Sequence, residues 1–147
     1  MQIVQNENYV VIYGEYHTSP RIVRLNSQHF EPAFPKFFGD SVGFWEGNTL
    51  VVHTTSFRPE QSNRRLRSSE RLEVIERYTP VSESEIVLEF EITDPKIYSE
   101  VIKSRITLQR MASGQRLYES GCHEGNYSLP SILAGARRQE IELRLTR

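Results

Sequence analysis

The sequence contains very little cysteine, and this scarcity removes two common sources of stability. Cys122 is the one cysteine in a chain of 147 residues. A single thiol can neither close an internal disulfide nor supply a cysteine-rich zinc site. The fold must therefore depend on a hydrophobic core. A chain of this length is long enough to bury one as a single domain, residues 1–147.

Long apolar runs are absent as well. No stretch approaches the roughly 20 apolar residues that a helix needs to span a bilayer, and the N-terminus lacks the basic segment and apolar run of a signal peptide. The sequence as it stands therefore predicts a cytoplasmic protein with no membrane partner. If a further segment precedes Met1, a secreted or periplasmic location is expected instead.

Neither sign of charge is in excess. The chain has 18 Lys and Arg residues against 19 Asp and Glu residues, which gives a formal net charge of -1. Such a balance creates no long-range field that would attract polyanions, so nucleic acid is not an expected partner. A small molecule is the expected partner, and the composition is also compatible with a homo-oligomer.

Cofactor and metal motifs are missing too. The sequence has no glycine-rich phosphate loop and no dinucleotide fingerprint. Neither helical His-x-x-x-His nor strand His-x-His spacing occurs among the four histidines, His17, His29, His53 and His123. The sequence therefore predicts no cofactor and no metal site. A Gly-x-Ser-x-Gly match at residues 39–43 precedes a strand pattern rather than a helix, so a serine hydrolase is not predicted either.

What the sequence does contain is a strong hairpin signal at residues 39–57. The Gly47-Asn48 dipeptide supplies positive φ between an aromatic segment and a β-branched run. Side chains alternate between the two faces of a strand, so Phe44 and Trp45 point to opposite sides. Because both faces carry apolar residues, we expect a core on one side and a covering element or ligand cavity on the other. Trp45 is expected to be buried.

Short β-rich runs separated by turn residues fill much of the remaining chain. They predict further strands at residues 2–5, 9–17, 21–25, 72–79, 85–93, 101–108 and 116–121. An aromatic connection at residues 26–40 is expected to pack as a lid or plug over one end of the sheet. Consecutive hairpin-linked strands favour a mainly β fold, an antiparallel meander that closes into a lipocalin-like β-barrel. An α+β curved sheet wrapped on a helix is the alternative.

The pattern changes near the C-terminus. Ser128 can cap a helix, Pro130 is tolerated in its first turn, and an apolar stripe at helical spacing is formed by Leu129, Ile132, Leu133 and Ala136. One short C-terminal helix is therefore predicted. Beyond Arg137 the tail is charged and contains alternating apolar residues, and the sequence leaves open whether it is a final strand or a frayed extension.

Four segments of the chain carry long, specific motifs. They read Asp-Ser-Val-Gly-Phe-Trp-Glu-Gly-Asn-Thr-Leu-Val-Val at 40–52, Glu-Arg-Tyr at 76–78, Asp-Pro-Lys-Ile-Tyr at 94–98 and Cys-His-Glu-Gly-Asn-Tyr-Ser-Leu-Pro-Ser-Ile-Leu-Ala-Gly-Ala-Arg at 122–137. These segments resemble a family of uncharacterised bacterial proteins, many of them longer and secreted. The usual pattern of that family has Gly-Asp where this chain has Gly47-Asn48, and often an acidic residue at His53. The resemblance implies no activity, but it implies that a structural domain of a larger secreted protein is one possible role.

The densest group of chemically capable side chains is the segment at residues 122–127. His123 and Glu124 precede the predicted helix, which places them at a rim where a barrel cavity would open. Free amides at a helix start favour a nearby carboxylate, so Glu124 is predicted to anchor the segment and His123 to carry protons. The alternative is that both side chains hold the start of the helix by hydrogen bonds. His53, on the second arm of the hairpin, is the third predicted catalytic residue.

Aromatic and polar side chains are expected to line the interior of the barrel. The predicted substrate-binding residues are Tyr13, Tyr16, His17, Phe44, Trp45 and Tyr127. Together with the catalytic candidates, they predict an enzyme without a cofactor that acts on a small, partly apolar molecule. Its chemistry would be general acid–base catalysis, as in lyases, isomerases and cyclases. A carrier or sensor that binds an apolar ligand without chemistry is the alternative.

Overall fold

A computed structural model describes residues 1–15, 20–31, 33–61, 67–118 and 127–145 of the chain. These residues form one sheet of eight strands, one α-helix and a short 3-10 segment at Pro59–Gln61. The strands are β1 Gln2–Gln5, β2 Tyr9–Tyr13, β3 Arg21–Leu25, β4 Asp40–Glu46, β5 Thr49–Thr55, β6 Glu73–Pro80, β7 Glu85–Thr93 and β8 Ile102–Gln109, and the helix is α1 Ser128–Leu145. The prediction of a mainly β fold with one C-terminal helix is therefore confirmed.

Each strand pairs with the next one along the chain, in the order β1 to β8. Every pairing is antiparallel except that of β3 with β4, which is parallel, with Val23 opposite Ser41 and Leu25 opposite Gly43. The long connection at residues 26–39 causes this exception, because it carries the chain back past β3 before β4 begins. The sheet curls into a half-barrel, consistent with the predicted lipocalin-like form.

One face of the curled sheet, the inner face, carries the main core. The buried members of this core are Val10, Ile12, Val23, Leu25, Leu50, Val52, Tyr78 and Leu88. They alternate along each strand with residues of the outer face, as the period of two requires. The dry side predicted for β7 is confirmed, since Leu88 and Ile92 are buried and Ile86 and Phe90 pack against buried residues.

The predicted burial of Trp45 is wrong. Trp45 is 44% exposed and Phe44 is 43% exposed. The reason is that β3 pairs with β4 only as far as Gly43, so the last three residues of β4 have no neighbouring strand on that side. The turn itself is as predicted, because Gly47 joins β4 to β5 with a φ of 58°.

The strands β6 and β8 are shifted by one residue from the predicted ranges, and three other segments differ more from the predictions. Strand β2 ends at Tyr13, and residues 116–118 form no strand, whereas residues 16–19 and 119–121 lie outside the described part. The charged tail is neither a strand nor a frayed extension, because α1 continues through it to Leu145. All side chains described in α1 are exposed. No helix in the described ranges is long and apolar enough to cross a membrane.

Candidate functional site

Two polar centres lie on opposite faces of the sheet. In β5, Val52 points into the core and is 0% exposed, so the side chain of His53 points to the outer face. There it belongs to the outer centre, which consists of Arg24, His29, Lys36, Asp40, His53 and Glu73. The inner centre, on the core side, consists of Arg21, Glu76 and Tyr78.

Asp40 is the anchor of the outer centre and is only 2% exposed. Arg24 donates two hydrogen bonds to it, from Nη1 to Oδ1 at 2.7 Å and from Nη2 to Oδ2 at 3.1 Å. Lys36 Nζ donates to Oδ1 at 3.1 Å, the backbone amide of Phe30 donates to Oδ2 at 3.2 Å, and His29 Nδ1 lies 3.1 Å from Oδ2. The aromatic connection at residues 26–40, predicted as a lid or plug, is thereby fastened to the outer face of the sheet.

The ionisation state of Asp40 follows from these partners. Burial would raise the pKa of the carboxyl group, but the hydrogen bonds from Arg24, His29, Lys36 and the amide of Phe30 outweigh it and hold the pKa well below its usual range. Asp40 is therefore an ionised carboxylate at neutral pH. An ionised carboxylate only accepts hydrogen bonds, so the Nδ1 atom of His29 carries the proton between them.

A chain of hydrogen bonds leads from Asp40 through two imidazole rings. His29 Nε2 lies 3.1 Å from His53 Nδ1, and the rings meet edge to face with their centroids 4.9 Å apart. A neutral His29 that donates from Nδ1 accepts at Nε2, so His53 donates from its own Nδ1. The Nε2 atom of a neutral His53 is then the nitrogen with a free lone pair.

The free end of this chain is open to solvent. The side chain of His53 is 35% exposed, and its Nε2 atom lies 3.7 Å from Oε2 of Glu73, whose side chain is 56% exposed. That distance is longer than a hydrogen bond but close enough for a carboxylate to stabilise a positive charge on the ring. The chain of hydrogen bonds therefore ends in a solvent-accessible ring nitrogen beside an exposed carboxylate.

The inner centre joins strands that are not neighbours. Arg21 Nη2 on β3 donates to Glu76 Oε1 and to the hydroxyl of Tyr78, both at 3.0 Å, across β4 and β5. Tyr78 in turn donates to Glu76 Oε1 at 2.9 Å. Arg21 Nη1 lies 2.7 Å from Glu76 Oε2, but this contact is not aligned as a hydrogen bond. Burial, reinforced by the charge of Glu76, raises the pKa of Tyr78 well above its usual range, so the phenol stays protonated.

Two cavities in the described structure are large enough to hold a small molecule. One of them, the edge cavity, has a volume of about 850 Å³ and lies between the first residues of β1, the β6–β7 turn, the end of β8 and residues 115–117. An outer groove of about 510 Å³ runs over β6, β7 and β8 and includes Ile75 in its lining. Ile75 is the residue of β6 directly opposite His53, so this groove begins one strand away from the imidazole.

The predicted site residues are not gathered in the interior of the sheet. His53 lies on the outer face, and Tyr13 shares that face because it alternates with the buried Ile12. Trp45 and Phe44 are half-exposed near the end of β4, and Tyr127 is 78% exposed ahead of α1. Within the described chain, no hydrogen bond or ring contact joins any two of these five residues. Tyr16, His17, Cys122, His123 and Glu124 lie outside the described residues.

Most members of the two centres escaped the sequence analysis. In the sequence, His29 is a candidate only as a metal ligand, and Asp40 belongs to the Gly-x-Ser-x-Gly match and to the motif at residues 40–52, neither of which assigns it a role. The ion pair of Asp40 with Arg24 depends on the parallel register of β3 and β4, which alternation within a strand does not reveal. One usable signal was present in β6, where Glu76 and Tyr78 are two residues apart and so must share a face.

Neither a metal site nor a similarity to known proteins indicates what the two centres do. Among the described residues, no group of three or more His, Cys, Asp or Glu side chains is arranged to hold a metal ion. Comparison of the sequence with protein-family models, and comparison of the chain with curated proteins and with solved structures, finds no match. The geometry of the two centres is therefore the basis on which a function can be proposed.

Proposed function

We propose that the protein is an enzyme that moves a proton on a small molecule, as lyases and isomerases do, with His53 as the group that exchanges the proton. The observation that carries this proposal is the hydrogen-bonded chain from Asp40 through His29 to His53. The outer groove beside Ile75 offers a place for the substrate within one strand of the imidazole.

The chemistry assigned to each group follows from its protonation state. The Nε2 atom of His53 takes a proton from a carbon next to a carbonyl group, so that a C–H bond breaks and an N–H bond forms. The electron pair of the C–H bond moves onto the substrate as an enolate. Glu73, at 3.7 Å, stabilises the resulting imidazolium, which returns the proton to the substrate at the same or at another atom.

His29 and Asp40 are positioning residues in this scheme. A carboxylate that accepts from an imidazole fixes which nitrogen carries the proton and which way the ring faces. Here the buried Asp40 fixes His29, and His29 fixes His53. The competing role for the same residues is purely structural, to fasten the connection at residues 26–39 to the sheet. The two roles differ in whether the free Nε2 atom of His53 is needed for a reaction.

Deuterium uptake from D2O is the experiment that separates these roles. Small ketones and 2-oxo and 3-oxo acids are incubated with the protein, and loss of the exchangeable C–H signal is followed by proton NMR. We expect the parent protein to exchange at least one member of this panel, and His53→Asn to exchange it at least about 100-fold more slowly. Asparagine keeps a donor for His29 at the position of Nδ1 but has no counterpart of Nε2.

The matched control is Glu46→Gln, which changes an exposed carboxylate that pairs with Arg77 on the sheet. It should leave the exchange rate unchanged, and His53→Asn should keep the thermal unfolding midpoint of the parent. Equal exchange by His53→Asn and the parent, or no exchange of any panel member, would remove the catalytic assignment and leave the structural role.

A further inference from the structure

The edge cavity is a second feature with the properties of a ligand site, and it is independent of the outer centre. Its volume of about 850 Å³ falls within the range of roughly 300–1,000 Å³ that small-molecule pockets occupy. Strands from both edges of the half-barrel contribute to its walls, together with the segment that follows β8. A molecule bound there would fill the gap between the two edges of the sheet.

One wall of the edge cavity is apolar. Ile3, Ile86 and Leu108 line it and pack against the main core at the same time. Leu117 reaches the cavity from the segment after β8 and is only partly exposed. An aliphatic chain placed against these four side chains would cover apolar surface that the sheet alone leaves accessible.

Two arginines line the same cavity. Arg110 follows β8 and Arg116 lies six residues further along, and neither guanidinium has an ion-pair or side-chain hydrogen-bond partner among the described residues. Most other basic side chains on the sheet are paired, as Lys103 is with Glu91 and Arg105 with Glu89. Of the two carboxylates in the lining, Glu85 already accepts a hydrogen bond from Gln109, and Glu83 lies in the exposed β6–β7 turn. The cavity thus offers two free guanidiniums beside an aliphatic wall.

From this juxtaposition we propose that the edge cavity binds a small amphipathic carboxylate, with its aliphatic chain against Ile3, Ile86 and Leu108 and its carboxylate on Arg110 and Arg116. Guanidinium groups bind carboxylates with paired, charge-assisted hydrogen bonds. The apolar wall selects the chain of the ligand and the arginines select its head group. This site would serve as a carrier or sensor site whether or not His53 is catalytic.

Isothermal titration calorimetry with three eight-carbon probes tests the proposal on the full chain. The probes are octanoate, 1-octanol and octylamine, which share a chain and differ in the head group. We expect octanoate to bind at least about tenfold more tightly than either of the other probes. One charge-assisted hydrogen bond is enough to produce an affinity difference of that size. In the double variant Arg110→Gln with Arg116→Gln, octanoate should bind about as weakly as 1-octanol. Both arginines are exposed, so this variant should fold as the parent does.

Two controls make the result specific. Lys103→Gln with Arg105→Gln removes the same amount of positive charge from the exposed residues of β8 and should leave octanoate binding unchanged. His53→Asn should also bind octanoate as the parent does, which separates this site from the proposed proton-transfer site. Equal binding of octanoate and 1-octanol by the parent, tighter binding of octylamine, wild-type affinity in the Arg110 and Arg116 double variant, or no binding of any probe would each overturn the proposal.

Discussion

Asp40→Asn is expected to lower the free energy of unfolding by about 3–5 kcal/mol, because it removes one partner of a buried ion-pair network. Asparagine has the same shape as aspartate but carries no charge to balance Arg24, whose side chain is 17% exposed. Its amide nitrogen would also face groups that donate hydrogen bonds to Asp40 in the parent protein. Urea-induced unfolding measures this loss. The slope of the free energy of unfolding against urea concentration should be the same in the variant as in the parent.

The comparison variant for this change is Glu91→Gln. Glu91 also forms an ion pair, at 2.9 Å from Lys103, but both side chains are exposed, by 43% and 67%. An exposed pair of this kind contributes at most about 1 kcal/mol. A loss below about 1 kcal/mol in Asp40→Asn, similar to that in Glu91→Gln, would mean that Asp40 does not hold the connection at residues 26–39 to the sheet.

The same network sets how stability depends on acid. The pKa of Asp40 is lower in the folded protein than in the unfolded chain, so the unfolded chain binds the proton first as pH falls. The stabilisation is therefore complete above the unfolded pKa of about 4 and is lost as pH falls from there through the folded pKa. Asp94, whose pKa is also lowered by hydrogen bonds from Ser69 despite its burial, acts in the same direction. In Asp40→Asn, the free energy of unfolding should therefore decrease less steeply in acid than in the parent. Some decrease should remain, because Asp94 is unchanged.

Gly43→Ala is expected to cost about 1–3 kcal/mol, because it adds a methyl group to a core that has no room for it. A Cβ atom at this position would lie 2.8 Å from Cγ1 of Val23 and 2.9 Å from the carbonyl oxygen of Val51. Val23 is fully buried on β3, and the oxygen of Val51 belongs to the backbone of β5. Position 43 therefore requires glycine, because the space between β4 and its neighbours β3 and β5 does not accommodate a side chain.

The control and a rescue variant test this explanation. Gly135→Ala adds the same methyl group where nothing lies within 4 Å, and it should not destabilise the sheet. Val23→Ala removes one of the two groups that clash with the added methyl group. The double variant Gly43→Ala with Val23→Ala should therefore lose less free energy of unfolding than the sum of the two single losses, because the effects of residues in contact are not additive. Strictly additive losses in the double variant, or a melting point for Gly43→Ala equal to that of the parent, would contradict the packing around Gly43.

The sequence allowed the fold class and most strands to be predicted, because those depend on local patterns. The alternation of Ile86, Leu88, Phe90 and Ile92 is enough to define β7 and its dry side, and Gly47-Asn48 defines a turn wherever it occurs between two strands. The start of α1 at Ser128 was predictable for the same reason, because its capping residue and its apolar stripe are close together in the sequence. These predictions needed no knowledge of which strands are neighbours.

The parts that the sequence did not reveal depend on how distant segments meet. Trp45 is exposed because β3 is too short to cover the end of β4, and alternation within β4 contains no information on the length of β3. Asp40 meets Arg24 because the connection at residues 26–39 returns the chain to make β4 parallel to β3. His29 reaches His53 from that same connection, where no periodic pattern predicts the position of a side chain.

The tautomers of His29 and His53 test the central claim most directly, and nitrogen NMR at mildly alkaline pH measures them. Spectra that correlate ring nitrogens with ring protons distinguish a protonated from an unprotonated nitrogen, and the variants His29→Asn and His53→Asn assign the signals. In the neutral form of the two rings, we expect the proton of each to be on Nδ1 and the Nε2 of His53 to be unprotonated, because the ionised Asp40 accepts a hydrogen bond from Nδ1 of His29. A proton on Nε2 of either neutral ring would contradict the chain, and with it the role of His53 as the proton-exchanging group.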